Sequence, residues 1–145
     1  MQQNNDFSEP ILLDTHILIW SMLSPDKITP QQQSVVRQAL IKNELYISSI
    51  TLWEIAMLIA KGRINVFTRI DDFLKSIENI KGLQIYQINS LIAADSVSLP
   101  GEVHGDPADR IIMATCRELG ATLITADESI LSWAKQGYIK VYSDL

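Results

Sequence analysis

The chain has 145 residues, of which 47% are hydrophobic and 20% charged, and its net charge is −5. This length and composition fit one soluble globular domain and exclude a fibrous or low-complexity chain. The single cysteine excludes an intrachain disulfide, and the acidic balance argues against a protein that coats nucleic acid by bulk charge. A nucleic-acid enzyme is compatible with this charge, because divalent ions bound by carboxylates reverse the local field.

The N-terminal segment is polar and has neither the basic region nor the apolar region of a signal peptide. We therefore expect a flexible leader at residues 1–9 followed by a single domain over 10–145. No apolar run is long enough to span a membrane, and a lone cysteine is typical of a reducing compartment. These features predict a cytoplasmic protein that does not associate with membranes.

Short apolar runs alternate with helical patterns along the chain. Patterns typical of helices are closed by residues such as Gly62, Gly82 and Gly120. The alternation predicts an α/β fold with a mostly parallel central sheet of about five strands, covered by helices on both faces. In such sheets, sites form at the carboxyl ends of the strands. In chain order the predicted elements are a strand at 10–14, helices at 15–23 and 30–43, a strand at 45–48, helices at 51–61 and 69–80, a strand at 83–88, helices at 89–98 and 107–119, a strand at 121–125, a helix at 128–135 and a strand at 138–142.

Two aspartates follow predicted strands. Asp14 directly ends one apolar run, and Asp127 comes shortly after another. A carboxylate beside a buried strand is costly unless it is paired, hydrogen-bonded or bound to a cation. Each aspartate also fits the N-cap of the helix that follows it, and the two roles are compatible. Their side chains would be neighbours only if the two strands lie side by side.

Three more acids are placed near predicted helix starts. Glu54 lies three residues after Thr51, which is the spacing of a capping box, so a capping role is an alternative to a metal-binding one. Of Asp106 and Asp109, one fits an N-cap and the other a ligand in the first turn. Caps need not be acidic, since Ser, Thr and Asn serve equally well. The acids together therefore indicate an all-oxygen site for Mg²⁺ or Mn²⁺, which suits phosphodiester hydrolysis.

Four segments, in order, resemble the PIN-domain family, and in particular the VapC-type toxins of prokaryotic toxin–antitoxin pairs. The resemblance covers about residues 11–142 and includes a spacing of 18 residues between the last two acids. It implies a PIN-like three-layer α/β/α fold, Mg²⁺- or Mn²⁺-dependent endonucleolytic cleavage of RNA, a homodimer, and a cognate antitoxin as partner. The four segments are Ile11-Leu-Leu-Asp14-Thr15-His16, Ser49-Ile-Thr-Leu-Trp-Glu54-Ile-Ala, Asp106-Pro-Ala-Asp109-Arg110-Ile-Ile-Met-Ala and Leu123-Ile-Thr125-Ala126-Asp127.

The resemblance also implies roles for individual residues. The family's acidic metal-binding and catalytic positions are matched by Asp14, Glu54, Asp109 and Asp127. Asp106 is an additional acid that either helps to bind the metal or only caps the helix.

Other polar side chains near these acids have supporting roles in the hypothesis. Thr125 and Thr15 are expected to orient a carboxylate or a water molecule. Arg110 is a candidate RNA contact, with an intramolecular salt bridge as the alternative. His16 and His104 have no metal-ligand spacing and fit incidental polar contacts.

Two alternative functions remain open from the sequence. A phosphotransfer or phosphatase domain also uses strand-end aspartates, but a haloacid-dehalogenase-type phosphatase would need Asp-x-Asp where this chain has Asp14-Thr15-His16. The paired acids and the lysine of a receiver domain are not evident either. The second alternative is a non-catalytic PIN-like binding module, against which the complete set of acids argues.

Overall fold

The computed structural model describes residues 9–142. These residues form a five-stranded, all-parallel sheet with the strand order β3-β2-β1-β4-β5. The predicted leader lies outside the described residues except for Glu9, as do residues 143–145 of the predicted domain. The strands are β1 (Ile11–Leu13), β2 (Leu45–Ser48), β3 (Leu83–Tyr86), β4 (Thr122–Ile124) and β5 (Lys140–Val141).

Seven α-helices connect the strands within this range. A single 3₁₀ turn, Pro25–Lys27, follows the first of them. Every predicted helix and strand is present, and most end within a few residues of the predicted bounds. The helices are α1 (Thr15–Leu23), α2 (Pro30–Ile41), α3 (Ser49–Ala60), α4 (Ile70–Glu78), α5 (Ser90–Ser96), α6 (Pro107–Leu119) and α7 (Glu128–Ala134).

The start of α3 differs from the capping-box interpretation. The helix begins at Ser49, and the Ser48 hydroxyl caps it by accepting a hydrogen bond from the Ile50 amide at 3.1 Å. Because Ser48 is also the last residue of β2, the chain enters the helix without a connecting loop. Thr51 is therefore inside the helix rather than at its N-cap, and Glu54 lies in the second turn.

Helices cover both faces of the sheet, which confirms the predicted three-layer α/β/α architecture. Alternate strand residues point to opposite faces, so Leu13 and Leu12 belong to separate apolar clusters. The Leu13 cluster packs beneath α1, α2 and α4, whereas the Leu12 cluster packs beneath α6 and α7. No helix within residues 9–142 is long and apolar enough to cross a membrane.

The strand order decides which ends are neighbours. β1 is central and pairs with both β2 and β4, with Leu13 in register with Ile124. The Asp14 amide continues this ladder by donating to the Ile124 carbonyl at 3.0 Å. The carboxyl ends of β1, β2 and β4 therefore meet at one edge of the sheet, where α1, α3 and the segment leading to α7 begin.

Candidate functional site

One cavity at this edge of the sheet collects five acidic side chains. Its volume is about 260 Å³. Each predicted acid lies in its wall, including Asp106. Two aromatic residues of α1 complete the wall. The lining residues are Asp14, His16, Trp20, Glu54, Asp106, Asp109, Ala126 and Asp127.

Asp14 is the most buried acid of the five, with only 5% of its surface exposed. Its Oδ1 accepts from the Thr15 amide at 2.8 Å, which caps α1, and its Oδ2 accepts from the Thr125 hydroxyl at 2.6 Å. Burial raises the pKa of Asp14 above its ordinary value, although these two hydrogen bonds act in the opposite direction. Asp14 thus caps α1 and also lines the cavity, so its capping role leaves it available as a candidate metal ligand.

Thr125 links the two neighbouring strand ends. Its hydroxyl donates to Asp14 and accepts from the Asp127 amide at 3.0 Å. We expect Thr125→Val to lower the free energy of unfolding by about 1–3 kcal/mol, because it leaves a buried carboxylate oxygen and an amide without partners. Thr125→Ser keeps the hydroxyl and should recover most of the loss. Urea unfolding measures both, and a valine variant as stable as the wild type would show that these hydrogen bonds contribute nothing.

Glu54 is held by a buried pair of threonines. The Thr15 hydroxyl donates to Glu54 Oε1 and lies 3.0 Å from the Thr51 hydroxyl. Thr15 and Thr51 are almost completely buried, and Glu54 is half-buried. Burial raises the pKa of Glu54, with the hydrogen bond from Thr15 opposing the shift. The hydroxyl pair therefore fixes the Glu54 carboxylate at the cavity.

Asp106, Asp109 and Glu54 form the tightest group of acids. Each offers a carboxylate oxygen within 4.8 Å of the others. Asp106 is the N-cap of α6, and its Oδ1 accepts from the Asp109 amide at 2.8 Å. Asp106 therefore caps the helix and also lies within reach of a shared cation. Asp127 similarly caps α7 by accepting from the Ile130 amide at 3.1 Å, while lining the same cavity.

The charge density of the cavity is clearest at Asp109, which is half-buried in the first turn of α6. Burial is the main cause that raises the pKa of this carboxyl to about 7, and the negative charges of its four acidic neighbours add to the shift. A group with this pKa is only partly ionised at neutral pH. The cavity is thus preorganised to receive positive charge.

The metal-free protein should be less stable at pH 8 than at pH 5. Between the ordinary pKa of an aspartate, about 4, and about 7, the folded Asp109 binds more protons than the unfolded one, so the free energy of unfolding falls as the pH rises through this window. The upward shifts at Asp14 and Glu54 act in the same direction. Urea midpoints in the presence of a chelator measure the effect. A midpoint that rises or stays constant from pH 5 to pH 8 would contradict it.

The donor set fits a hard divalent cation. Every candidate ligand is a carboxylate oxygen, as Mg²⁺ and Mn²⁺ prefer. Burial raises the pKa of Asp109, the neighbouring carboxylates add to the shift, and a bound cation would favour the ionised form. The residues present are therefore chemically suited to such an ion, with Glu54, Asp106 and Asp109 nearest one another.

Three other residues considered from the sequence do not line the cavity: Arg110, His104 and Cys116. Arg110 donates from Nε to the Gly105 carbonyl at 3.3 Å, and the ion pairs found within residues 9–142 do not include it. His104 is exposed and is not part of the cavity wall. Burial raises the pKa of Cys116 to about 12, so this thiol stays protonated in the core.

Three residues of the cavity wall, His16, Trp20 and Ala126, are not among the predicted site residues, and neither is Thr51, which supports the site through Thr15. Thr51 was interpreted as a helix cap, and only the long-range contact with Thr15 identifies its position beside Glu54. No site role is predicted for Trp20 from the sequence. Its spacing of four from His16 was the available signal, because residues four apart share a helix face.

The amino-acid sequence of the chain is similar to known proteins over most of its length. A protein-family model described as PIN domain matches residues 11–135. The chain is 30% identical to Ribonuclease VapC22 of Mycobacterium tuberculosis (strain ATCC 25618 / H37Rv) over 122 residues, which is 84% of this chain and 90% of that protein.

Solved structures share the fold at lower sequence identity. The crystal structure of FitAcB from Neisseria gonorrhoeae has a TM-score of 0.65 at 19% identity, covering 92% of this chain and 96% of that chain. The VapBC2 structure from Rickettsia felis, bound to a DNA fragment from its promoter, has a TM-score of 0.66 at 19% identity, covering 91% and 96%. A toxin–antitoxin complex from Klebsiella pneumoniae has a TM-score of 0.61 at 22% identity, covering 92% and 96%.

Proposed function

The chain belongs to the PIN-domain family, and from this premise we propose that it is a metal-dependent endoribonuclease, the toxin of a toxin–antitoxin pair. The observation that carries the proposal is the convergence of five acids from four segments in one cavity. Such a concentration of carboxylates lowers stability unless cations or hydrogen bonds offset it, so it indicates a functional site.

We assign the metal-binding and catalytic roles to Asp14, Glu54, Asp109 and Asp127, with Asp106 as an additional ligand. When bound there, Mg²⁺ or Mn²⁺ would activate a water molecule, orient the scissile phosphate and stabilise the leaving oxygen. The choice between the two ions is part of the proposal and rests on the all-oxygen donor set.

The remaining residues act by positioning. Thr125 holds Asp14 Oδ2, and Thr15 holds Glu54 Oε1, so neither carboxylate is free to rotate away from the cavity. The helix caps made by Asp106 and Asp127 fix one oxygen of each acid in the same way. Preorganised ligands of this kind lower the cost of assembling the reacting groups.

Cleavage of RNA by the purified chain tests the proposal. We expect cleavage of a labelled single-stranded RNA in Mg²⁺ or Mn²⁺, its loss on addition of a chelator, and its return when the ion is restored. Asp72→Asn on α4 should cleave like the wild type under the same conditions, because Asp72 is exposed and lies outside the cavity. Cleavage that persists in the chelator, or no cleavage with either ion, would overturn the proposal.

A cognate antitoxin and a homodimer belong to the same proposal. The Klebsiella pneumoniae structure named above is described as a toxin–antitoxin complex, which supports a protein inhibitor as partner. Three exposed apolar side chains offer surface for association: Trp53 on α3, Leu91 on α5 and Val97, the residue that follows α5. Co-expression with the product of an adjacent short reading frame tests the antitoxin, and the solution mass of the chain tests the dimer. We place both in the cytoplasm, where an RNA substrate is available.

The alternatives raised by the sequence are less consistent with these findings. A phosphotransfer domain does not fit membership of the PIN family. A binding module without catalysis has no need of five acids in one cavity, since their mutual repulsion costs stability.

A further inference from the structure

Two aromatic side chains of α1 lie in the wall of the acidic cavity. His16 and Trp20 are four residues apart on one helix face, and their ring centroids are 5.9 Å apart with the ring planes tilted by 54°, so a base can lie parallel to only one of the two rings. We propose that this pair is a stacking subsite for a base of the RNA strand beside the scissile phosphate. The inference rests on the proposed ribonuclease function and extends it to how the substrate is held.

The burial of the two rings suits this role. Trp20 is half-buried and packs against the apolar cluster beneath α1, so its position is fixed while part of it borders the cavity. His16 is exposed at the cavity mouth. An anchored aromatic ring binds a base at a small entropic cost, because few rotatable bonds have to be ordered. Unpaired RNA bases are commonly bound by stacking on such rings.

The charge of the molecule makes an uncharged contact useful. The chain carries a net charge of −5, and five acids line the cavity that the phosphodiester must approach. Base stacking supplies affinity that does not depend on attraction of phosphates. Lys27 Nζ lies over the Trp20 ring, 5.8 Å from its centroid, and places one cation at this ring.

The chemistry of stacking defines the class of RNA that is taken. A base inside a duplex is already stacked, so the subsite favours single-stranded segments. Stacking discriminates weakly among bases, because every base has a π-face. The substrate held at this wall is therefore an unpaired nucleotide, with little preference for its identity at this position.

Steady-state cleavage by Trp20→Ala tests the subsite. Loss of one stacked base should raise KM for a single-stranded RNA about tenfold and leave kcat within about threefold. Trp20→Phe keeps an aromatic face and should stay near the wild type. Phe67→Ala is the matched control, since Phe67 is a fully exposed aromatic residue that lies outside the cavity. A KM within about twofold of the wild type in Trp20→Ala, or a fall in kcat alone, would overturn the inference.

His16 gives a second variant that does not threaten folding, because its side chain is exposed. His16→Ala should raise KM, whereas His16→Phe should restore it, since stacking needs the ring and not the imidazole nitrogens. Equal KM values for His16→Ala and His16→Phe would show that His16 does not act by stacking. This result would contradict the proposal that His16 and Trp20 form the subsite together.

Removal of the base from the RNA provides a test on the unmodified protein. Abasic nucleotides are placed one at a time on either side of a mapped cleavage position. We expect one position where the abasic substitution slows cleavage by the wild type about tenfold. At that position Trp20→Ala should cleave the abasic RNA and the intact RNA at the same rate, because its stacking contact is already lost. Equal sensitivity of the two proteins at every position would overturn the subsite. The intact RNA in the same series tests the proposed function separately. If the wild type does not cleave it, the ribonuclease function itself is overturned.

Discussion

Replacing Asp14 with asparagine should reduce RNA cleavage at least a hundredfold while the fold is kept. Asn has the same shape, but it lacks the negative charge that a divalent ion requires. Changes to groups that only support a metal ligand cost about 10- to 100-fold, so loss of a ligand's charge should cost no less. Burial raises the pKa of Asp14, so removing the charge relieves a desolvation cost, and this gain offsets the loss of the hydrogen bond that Thr125 donates to Oδ2.

Single-turnover cleavage in Mg²⁺ measures the loss, and thermal unfolding verifies that the variant is folded. The control is Asp72→Asn, which makes the same chemical change at an exposed position. A folded Asp14→Asn protein that keeps more than about a tenth of the wild-type rate would remove Asp14 from the proposed mechanism.

Replacing Asp109 with asparagine should inactivate the protein and stabilise it at the same time. Its pKa of about 7 shows that the ionised carboxylate is disfavoured in the metal-free fold. At pH 8 the variant should unfold at higher urea than the wild type, with a gain of about 1–2 kcal/mol after allowance for solvent screening of a half-buried group. Cleavage should fall at least about a hundredfold, as for Asp14.

The same variant should flatten the dependence of stability on pH between 5 and 8, because it removes the group that titrates in this window. Urea midpoints in a chelator at both pH values give the comparison. An Asp109→Asn protein that is less stable than the wild type at pH 8 would contradict the view that burial and the neighbouring acids disfavour the ionised Asp109 carboxylate. Functional sites commonly lower stability in this way.

Much of the fold could be predicted because its signals are local. Apolar runs of strand length and helix caps identified each element, and Asp14 and Asp127 follow β1 and β4 as expected. The N-caps made by Asp14, Asp106 and Asp127 were also readable, since a cap depends on neighbouring residues. What the local pattern could not supply was the strand order that makes β1 and β4 neighbours.

The less predictable part of the site depends on contacts between distant segments. The spacing of Thr51 and Glu54 resembles a capping box, yet Ser48 starts the helix and Thr51 contacts Thr15 instead. Asp109 does not follow a strand directly, because α5 and a loop intervene between β3 and α6. Its place beside Glu54 therefore follows from the packing of α3 against α6, which periodicity does not specify.

The assignment of individual roles to the acids stays a prediction, and direct metal binding tests it best. Mn²⁺ titrated calorimetrically into the chelator-treated protein at pH 8 should bind to the wild type and to Asp72→Asn with equal affinity. Asp109→Asn should bind at least about tenfold more weakly. Absence of Mn²⁺ binding by the wild type, or equal binding by Asp109→Asn, would contradict the central claim that these carboxylates form the metal site.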